Sequence, residues 1–155
     1  MGSDRIDGTI EAVWLKRRRD KLAVYDKIQF RLASGGERVI GKSIVAPAVA
    51  DRLVPGTSGR FYLYSAIDHK GVSGLRDAAG GAVFGFPTVN ETAMLVIGAL
   101  NIVWLALAVS LAGVVPILPL ILTVCSIPLY FLYRGTRLEA RRRFDADGGL
   151  APPAP

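Results

Sequence analysis

The sequence predicts a membrane protein of mixed α and β structure, with a small amino-terminal β domain, a two-helix transmembrane hairpin and a short basic helical tail. The first observation is a run of 42 uncharged, mostly apolar residues between Glu91 and Arg134 in a chain of 155 residues. One bilayer-crossing helix needs about 20 apolar residues, so this run has room for two. The second is a series of short alternating segments before it, and the third is a group of five arginines directly after it. We therefore expect a β domain over 1–90, a hairpin over 91–134 and a tail over 135–155.

The β domain is predicted from segments in which apolar and polar residues alternate, the pattern of a half-buried strand. The clearest is 22–32, and further strands are expected over 9–16, 37–45, 61–68, 71–76 and 82–86, with a short helix over 47–53. Glycine-containing turns separate most of them, as at Ser34-Gly35-Gly36. Five or six short strands at such spacing favour a small closed barrel or sandwich, OB-like or SH3-like.

The apolar run predicts helices over about 92–115 and 117–133, with a reversal between Val115 and Pro119. The second helix would measure only about 25 Å, against a hydrocarbon core of about 30 Å. It could start earlier, continue into Arg134, or form a shallow hairpin that does not fully cross. Polar Asn101 and pairs of small residues four apart predict positions of close helix packing. The pairs are Ala106 with Ser110 and Ala108 with Ala112.

The net charge of +6 is divided between the two flanks of the apolar run, with +4 before it and +2 after it. Positive charge near a span end marks the cytoplasmic side. No signal peptide is expected, because the segment Ile6–Leu15 contains Asp7 and Glu11. We expect an integral protein of a bacterial cytoplasmic membrane with both termini in the cytoplasm.

The sequence offers little for catalysis or for cofactor and metal binding. With one histidine, His69, in an expected solvated turn, and one cysteine, Cys125, in the apolar run, only carboxylates remain as metal ligands. Gly36–Ser43 satisfies the phosphate-loop pattern G-x-x-x-x-G-K-[ST]. A phosphate loop must open into a long helix, whereas here a strand-like segment precedes Lys42 and Pro47 follows closely. Nucleotide binding is therefore the third and least favoured of the functions considered.

Two clusters of positive charge are candidate contacts for anionic lipid headgroups or for a protein partner. The first is the basic turn, Lys16–Lys21, with five cations in six residues, and the second is in the tail. The cations concerned are Lys16, Arg17, Arg18, Arg19, Lys21, Arg137, Arg141, Arg142 and Arg143. Tyr62 and Tyr64 are expected as exposed aromatics of a docking face, too few to predict nucleic-acid binding.

These observations favour a non-enzymatic, membrane-anchored adaptor or accessory subunit whose β domain docks a larger partner at the cytoplasmic membrane face. The alternative is a homo-oligomeric membrane assembly or pore built by the helical hairpin. The apolar run contains no ionisable Asp, Glu, Lys or Arg. A transporter is therefore not expected, because proton relays and ion coupling generally require such a group.

Overall fold

The structure, a computed structural model, describes residues 5–147. The chain forms two compact units. Of the described residues, the sheet unit comprises those up to Pro87 together with those from Thr136 onward, and the helical unit comprises Thr88–Gly135. Residues 136–147, which the sequence divides off as a separate tail, thus belong to the same compact unit as the strands. The proline-rich segment at 151–155 lies outside the described residues.

Seven antiparallel strands form the sheet: β1 (Arg5–Arg19), β2 (Leu22–Leu32), β3 (Glu37–Ile40), β4 (Ser43–Val45), β5 (Ser58–Ser65), β6 (Lys70–Asp77) and β7 (Ala82–Phe84). Their order in the sheet is β3-β2-β1-β5-β6-β7, and β4 pairs with β2 beside β3. A single helical turn, α1 (Pro47–Ala50), follows β4 and begins at a proline, where the missing N–H costs nothing.

The β structure is confirmed. Of the two expected arrangements, a closed barrel or a sandwich, the closed barrel is wrong, because the sheet is not closed. Its end strands do not pair with each other: β3 pairs with β2 only and β7 with β6 only. The segment expected as one strand over 37–45 is interrupted at Gly41 and Lys42, so β3 and β4 pair in succession with different parts of β2. Both are short, of four and three residues, as is β7 with three.

The core of the sheet unit is apolar and aromatic. Phe30 and Phe61 are fully buried and meet edge to face, with ring centroids 4.9 Å apart. This is a favoured geometry for aromatic pairs. Around them lie the buried aliphatic side chains Ile6, Ile10, Ile28, Val45, Val49, Leu53, Val72 and Leu75. Burial of this apolar surface is the dominant force that holds the sheet unit together.

Two helices are long and apolar enough to cross a membrane. They are α2 (Val89–Ala112), of 24 residues, and α3 (Ile117–Ala146), of 30 residues. Gly113 ends α2 in the left-handed conformation, with φ of 61°, as glycine commonly does after a helix. The expected tail is helical as far as Ala146, because α3 continues past Arg134 into the sheet unit.

Within the helical unit, α2 contacts α3 at Gly98. A Cβ placed there would lie 2.9 Å from Oγ of Ser126, so a larger residue would require the Ser126 side chain to shift. Asn101 is buried, and its Nδ2 donates a hydrogen bond of 2.7 Å to the carbonyl oxygen of Ile97, one turn earlier. Of the small residues expected at helix contacts, Ala106, Ser110 and Ala112 are exposed and Ala108 is half-buried.

Candidate docking surfaces

The carboxyl-terminal part of α3 packs on the sheet through the ring of Phe144. Its centroid lies 5.0 Å from that of Tyr62 and 5.4 Å from that of Phe84. Gly74 of β6 lies directly beneath, and a Cβ there would come within 2.7 Å of the ring. The guanidinium of Arg76 lies 4.5 Å from the centroid and donates a hydrogen bond of 3.1 Å to the carbonyl oxygen of Phe144. We call the packing of Phe144 on the sheet, together with the hydrogen bonds of Asp147, the tail contact.

Asp147 completes the tail contact with a buried network of polar groups. Tyr62 donates a hydrogen bond of 2.6 Å to its Oδ2, and Nη1 of Arg60 donates to both oxygens at 3.1 and 3.0 Å. Arg60 also donates from Nε and Nη2 to Asp7 at 2.7 and 3.1 Å. Arg5 adds a longer ion pair of 3.4 Å with Asp147, whose side chain is only 6% exposed. Opposite charges and hydrogen-bond partners therefore compensate the cost of burying this carboxylate.

The pKa values of these groups follow from the same contacts. Burial alone would raise the pKa of Asp147, but hydrogen bonds from Tyr62 and Arg60 and the charges of Arg60 and Arg5 lower it below its usual range. For Tyr62, burial and the hydrogen bond to Asp147 raise the pKa to about 12. The hydrogen bond to Asp7 is the main cause that raises the pKa of Arg60. At neutral pH Asp147 is therefore a carboxylate, Arg60 a guanidinium and Tyr62 a neutral phenol.

The expectation that Tyr62 and Tyr64 are exposed aromatics is wrong, because the structure buries both, at 4% and 6% exposure. Residue alternation along β5 indicated one buried face, but the residues of 136–147 cover the other. Tyr64 packs against Phe86, with centroids 4.5 Å apart, and shares a small buried cluster with Ala140. Its hydroxyl donates to the carbonyl oxygen of Ile44 at 2.8 Å. Burial raises the pKa of Tyr64 well above its usual range.

Of the candidate tail arginines, Arg141, Arg142 and Arg143 are exposed and Arg137 is half-buried, and most of them are engaged within the chain. Arg143 forms an ion pair with Glu139, and Arg141 forms one with Asp145 at 3.5 Å, each across one helical turn. The guanidinium of Arg141 also lies 5.5 Å from the ring centroid of Phe84. Arg142 is exposed and has no ion pair with another described residue.

The basic turn lies at the end of the hairpin formed by β1 and β2. The strands continue to Arg19 and from Leu22, so the connecting turn is only two residues long rather than six. Lys16 pairs with Asp26 at 3.2 Å, and Arg18 pairs with Asp51. The side chains of Arg17, Arg19 and Lys21 form no ion pair within residues 5–147. Three cations are thus available to an outside anion.

The phosphate-loop match has the wrong geometry for phosphate. Its residues form β3, a turn at Gly41 and Lys42, and the first residue of β4, and the helix that follows is only four residues long. Ser43, which would bind magnesium in a phosphate loop, is fully buried and donates to the carbonyl oxygen of Gly41 at 2.6 Å. The anion-binding helix terminus that such a loop needs is not found after this segment.

His69 was expected to be solvated, but its imidazole is only 5% exposed. It lies against the ring of Tyr64, with centroids 5.6 Å apart, and Nδ1 is 2.6 Å from Oδ1 of Asp68. Within residues 5–147, no three His, Cys, Asp or Glu side chains come together as a metal site.

A shallow open groove of about 410 Å³ lies beside α1. It is lined by Asp51, Arg52, Val54, Gly56, Thr57, Ser58, Asp77, Ala78 and Ala79. Its charged side chains have partners within the chain: Arg52 lies 3.9 Å from Asp77, whose Oδ1 accepts hydrogen bonds from the N–H groups of Ala79 and Gly81. The groove is wide and already neutralised, which suits contact with a protein surface better than capture of a small charged ligand.

No family model matches the chain, and neither a curated protein nor a solved structure is significantly similar to it. The function must therefore be argued from the geometry.

Two features of these surfaces escaped the sequence analysis. The first is Asp147, which stands among polar residues after a run of arginines and gives no sign that it is buried. The second is the division of the five cations of the basic turn into paired and unpaired ones. That division depends on Asp26, which pairs with Lys16, and on Asp51, which pairs with Arg18. Each aspartate is close to its partner in space but distant from it in the sequence.

Proposed function

We propose that this protein is a non-enzymatic adaptor or accessory subunit, anchored in the cytoplasmic membrane by α2 and α3, whose sheet unit docks a larger partner at the cytoplasmic face. One observation carries the membrane part of the proposal. Both flanks of the apolar run, ending at Pro87 and resuming at Thr136, belong to one compact unit. A single folded unit lies on one side of a membrane, so a chain that leaves it must return to the same side. An even number of crossings, two for this run, satisfies that requirement.

The tail contact supports this topology with specific chemistry. Phe144 and Asp147 follow α3's apolar part, and they pack against Tyr62, Arg60 and Gly74 of strands that precede α2. Both sides of the contact are buried, so it forms only where the two flanks share one compartment. The basic character of both flanks favours the cytoplasm as that compartment.

Thiol labelling in intact cells tests the topology. In a Cys125→Ser background, Ser34→Cys and Asp145→Cys place single thiols in the sheet unit, and Val115→Cys places one between α2 and α3. We expect a membrane-impermeant reagent to label Val115→Cys from outside, and the other two only after the membrane is opened. Outside labelling of Ser34→Cys or Asp145→Cys, or none of Val115→Cys, would contradict the two-crossing hairpin.

Three features of the sheet unit support the adaptor role: a groove whose charges are paired, an exposed basic turn, and a network around Asp147 whose polar groups bond one another. The mass of the detergent-extracted complex tests it, since one chain weighs 16.6 kDa. We expect a complex whose mass is not a multiple of 16.6 kDa, with a second polypeptide crosslinked to the sheet unit. Only multiples of that mass would contradict the adaptor role.

A homo-oligomeric assembly is the second candidate, and the exposure of Ala106, Ser110 and Ala112 favours it. Small residues that do not contact the neighbouring helix of the same chain are available to a second chain. If they form such an interface, Ala106→Leu together with Ser110→Leu should separate the oligomer into single chains. Leu111→Phe, on another side of the same helix at a position 84% exposed, is the control and should leave the mass unchanged.

A further inference from the structure

We propose that Trp14, Leu15 and the basic turn enter the headgroup region of an anionic membrane. This inference rests on the proposed membrane anchoring and adds a second, reversible contact to it. The relevant geometry is the length of the β1–β2 hairpin. Strand β5 pairs with β1 only from Arg5 to Thr9, and loop residues Gly56 and Thr57 bond the backbone of Ile10. Beyond Ile10, β1 pairs with β2 alone among the described residues.

Two large apolar side chains stand exposed next to the cations at this end of the hairpin. Trp14 is 46% exposed and Leu15 is 51% exposed. Nζ of Lys27 lies 4.8 Å from the Trp14 ring centroid, so the indole already has a cation on one face. Tryptophan is the side chain most typical of the membrane interface, where its apolar ring and its N–H are both accommodated.

Unpaired cations lie next to the exposed apolar side chains Trp14 and Leu15. Arg17, Arg19 and Lys21 have no acidic partner within residues 5–147, whereas Asp26 and Asp51 already neutralise Lys16 and Arg18. Long basic side chains next to an aromatic and an aliphatic residue are the combination that binds anionic lipid surfaces. The proposed ligand is therefore a bilayer surface rich in acidic phospholipid.

A protein strand added to the free edge of β1 is the competing occupant, and the edge is poorly suited to it. The register of β1 against β2 shifts between Trp14 and Leu15 and again between Leu15 and Arg17. Such irregularities, together with consecutive basic residues, are the features by which exposed edges resist pairing with another strand. Lipid headgroups need no backbone register, so the same features do not hinder them.

Tryptophan fluorescence of the full chain in nanodiscs tests the proposal, because Trp14 and Trp104 are its two tryptophans. The variant Trp104→Phe leaves Trp14 as the only reporter, and lipids with brominated acyl chains quench an indole that reaches them. We expect quenching of Trp14 in discs that contain phosphatidylserine and little in discs of phosphatidylcholine alone. Raising the salt from about 0.1 M to 1 M, which shortens the screening length from about 10 Å to 3 Å, should remove the quenching.

Matched variants separate the unpaired cations from charge in general. Arg17→Ser with Arg19→Ser should reduce the quenching to the phosphatidylcholine level. Lys42→Ser with Lys70→Ser removes the same charge from elsewhere in the sheet unit and should retain most of the quenching. Absence of quenching in anionic discs, equal quenching in both lipids, or equal loss in the two double variants would overturn the proposal.

The reciprocal variant keeps this test independent of the proposed anchoring. In Trp14→Phe the only tryptophan is Trp104, within α2. Its quenching in both kinds of disc reports insertion of that helix. Quenched Trp104 with unquenched Trp14 would overturn the hairpin contact alone, whereas unquenched Trp104 would overturn the membrane anchoring itself.

Discussion

The basic turn and the basic tail look alike in sequence, yet the structure uses them in different ways. Each has several cations within a few residues, and each would be assigned to a charged surface by composition alone. In the tail, two arginines pair along the helix while Phe144 and Asp147 anchor the segment to the sheet. In the basic turn, three cations remain without an acidic partner among the described residues. The difference teaches that charge clusters must be judged by the apolar and acidic residues next to them.

The largest expected effect comes from removing the ring that holds the tail on the sheet. Phe144→Ala should lower the free energy of unfolding by about 3–4 kcal/mol, the typical cost of deleting a buried phenyl ring. Near-ultraviolet circular dichroism during thermal unfolding in mild detergent measures it. Leu138→Ala is the control, because Leu138 is 41% exposed on the same helix. A change below 1 kcal/mol for Phe144→Ala would show that the tail contributes little to the sheet unit.

The next effect concerns the carboxylate that ends the tail contact. Asp147→Ala leaves Tyr62 and one side of Arg60 without a partner and should cost about 3 kcal/mol. Asp145→Ala removes an exposed ion pair two residues earlier and should cost no more than about 0.5 kcal/mol. Hydrogen exchange of β5 and β6 in the two variants distinguishes them. Equal protection of β5 and β6 in the two variants would mean that Asp147 stabilises the fold no more than an exposed ion pair does.

Acid should weaken the tail contact, because it protonates the buried carboxylate of Asp147. The folded-state pKa of Asp147 is below its usual range, so its contribution to stability is present above about pH 4 and is lost as the pH falls through the folded value. The melting temperature of the native chain should therefore fall more steeply below about pH 4 than that of Asp147→Asn. Parallel curves for the two proteins would contradict this linkage.

The smallest effect on stability is expected at the basic turn. Arg17→Ser with Arg19→Ser removes two exposed cations that have no ion pair, and should change the free energy of unfolding by less than about 0.5 kcal/mol. The same thermal unfolding measurement checks this. A loss above 1 kcal/mol would mean that these arginines stabilise the fold, and it would erase the contrast with the tail.

Local patterns in the sequence predicted most of the secondary structure, and they failed where distant segments meet. Alternation located β2 at its observed bounds, and the uncharged run located both long helices. Closure of the sheet could not be predicted, because it depends on how the short strands β3, β4 and β7 find partners. The burial of Tyr62 could not be predicted either, because a segment some 80 positions later covers it. Contacts between segments so far apart in the sequence produce no periodic pattern of apolar and polar residues.

The divided sheet unit also has a consequence for how the protein is made. The strands up to Pro87 emerge from the ribosome before residues 88–135, whose synthesis takes roughly 2 to 10 s at ordinary translation rates. During that interval Tyr62, Gly74 and Arg60 lack Phe144 and Asp147, the side chains that cover and neutralise them. The sheet unit is completed only after both long helices have been synthesised. Chains arrested within the apolar run would therefore present an unfinished, apolar sheet surface to chaperones and proteases.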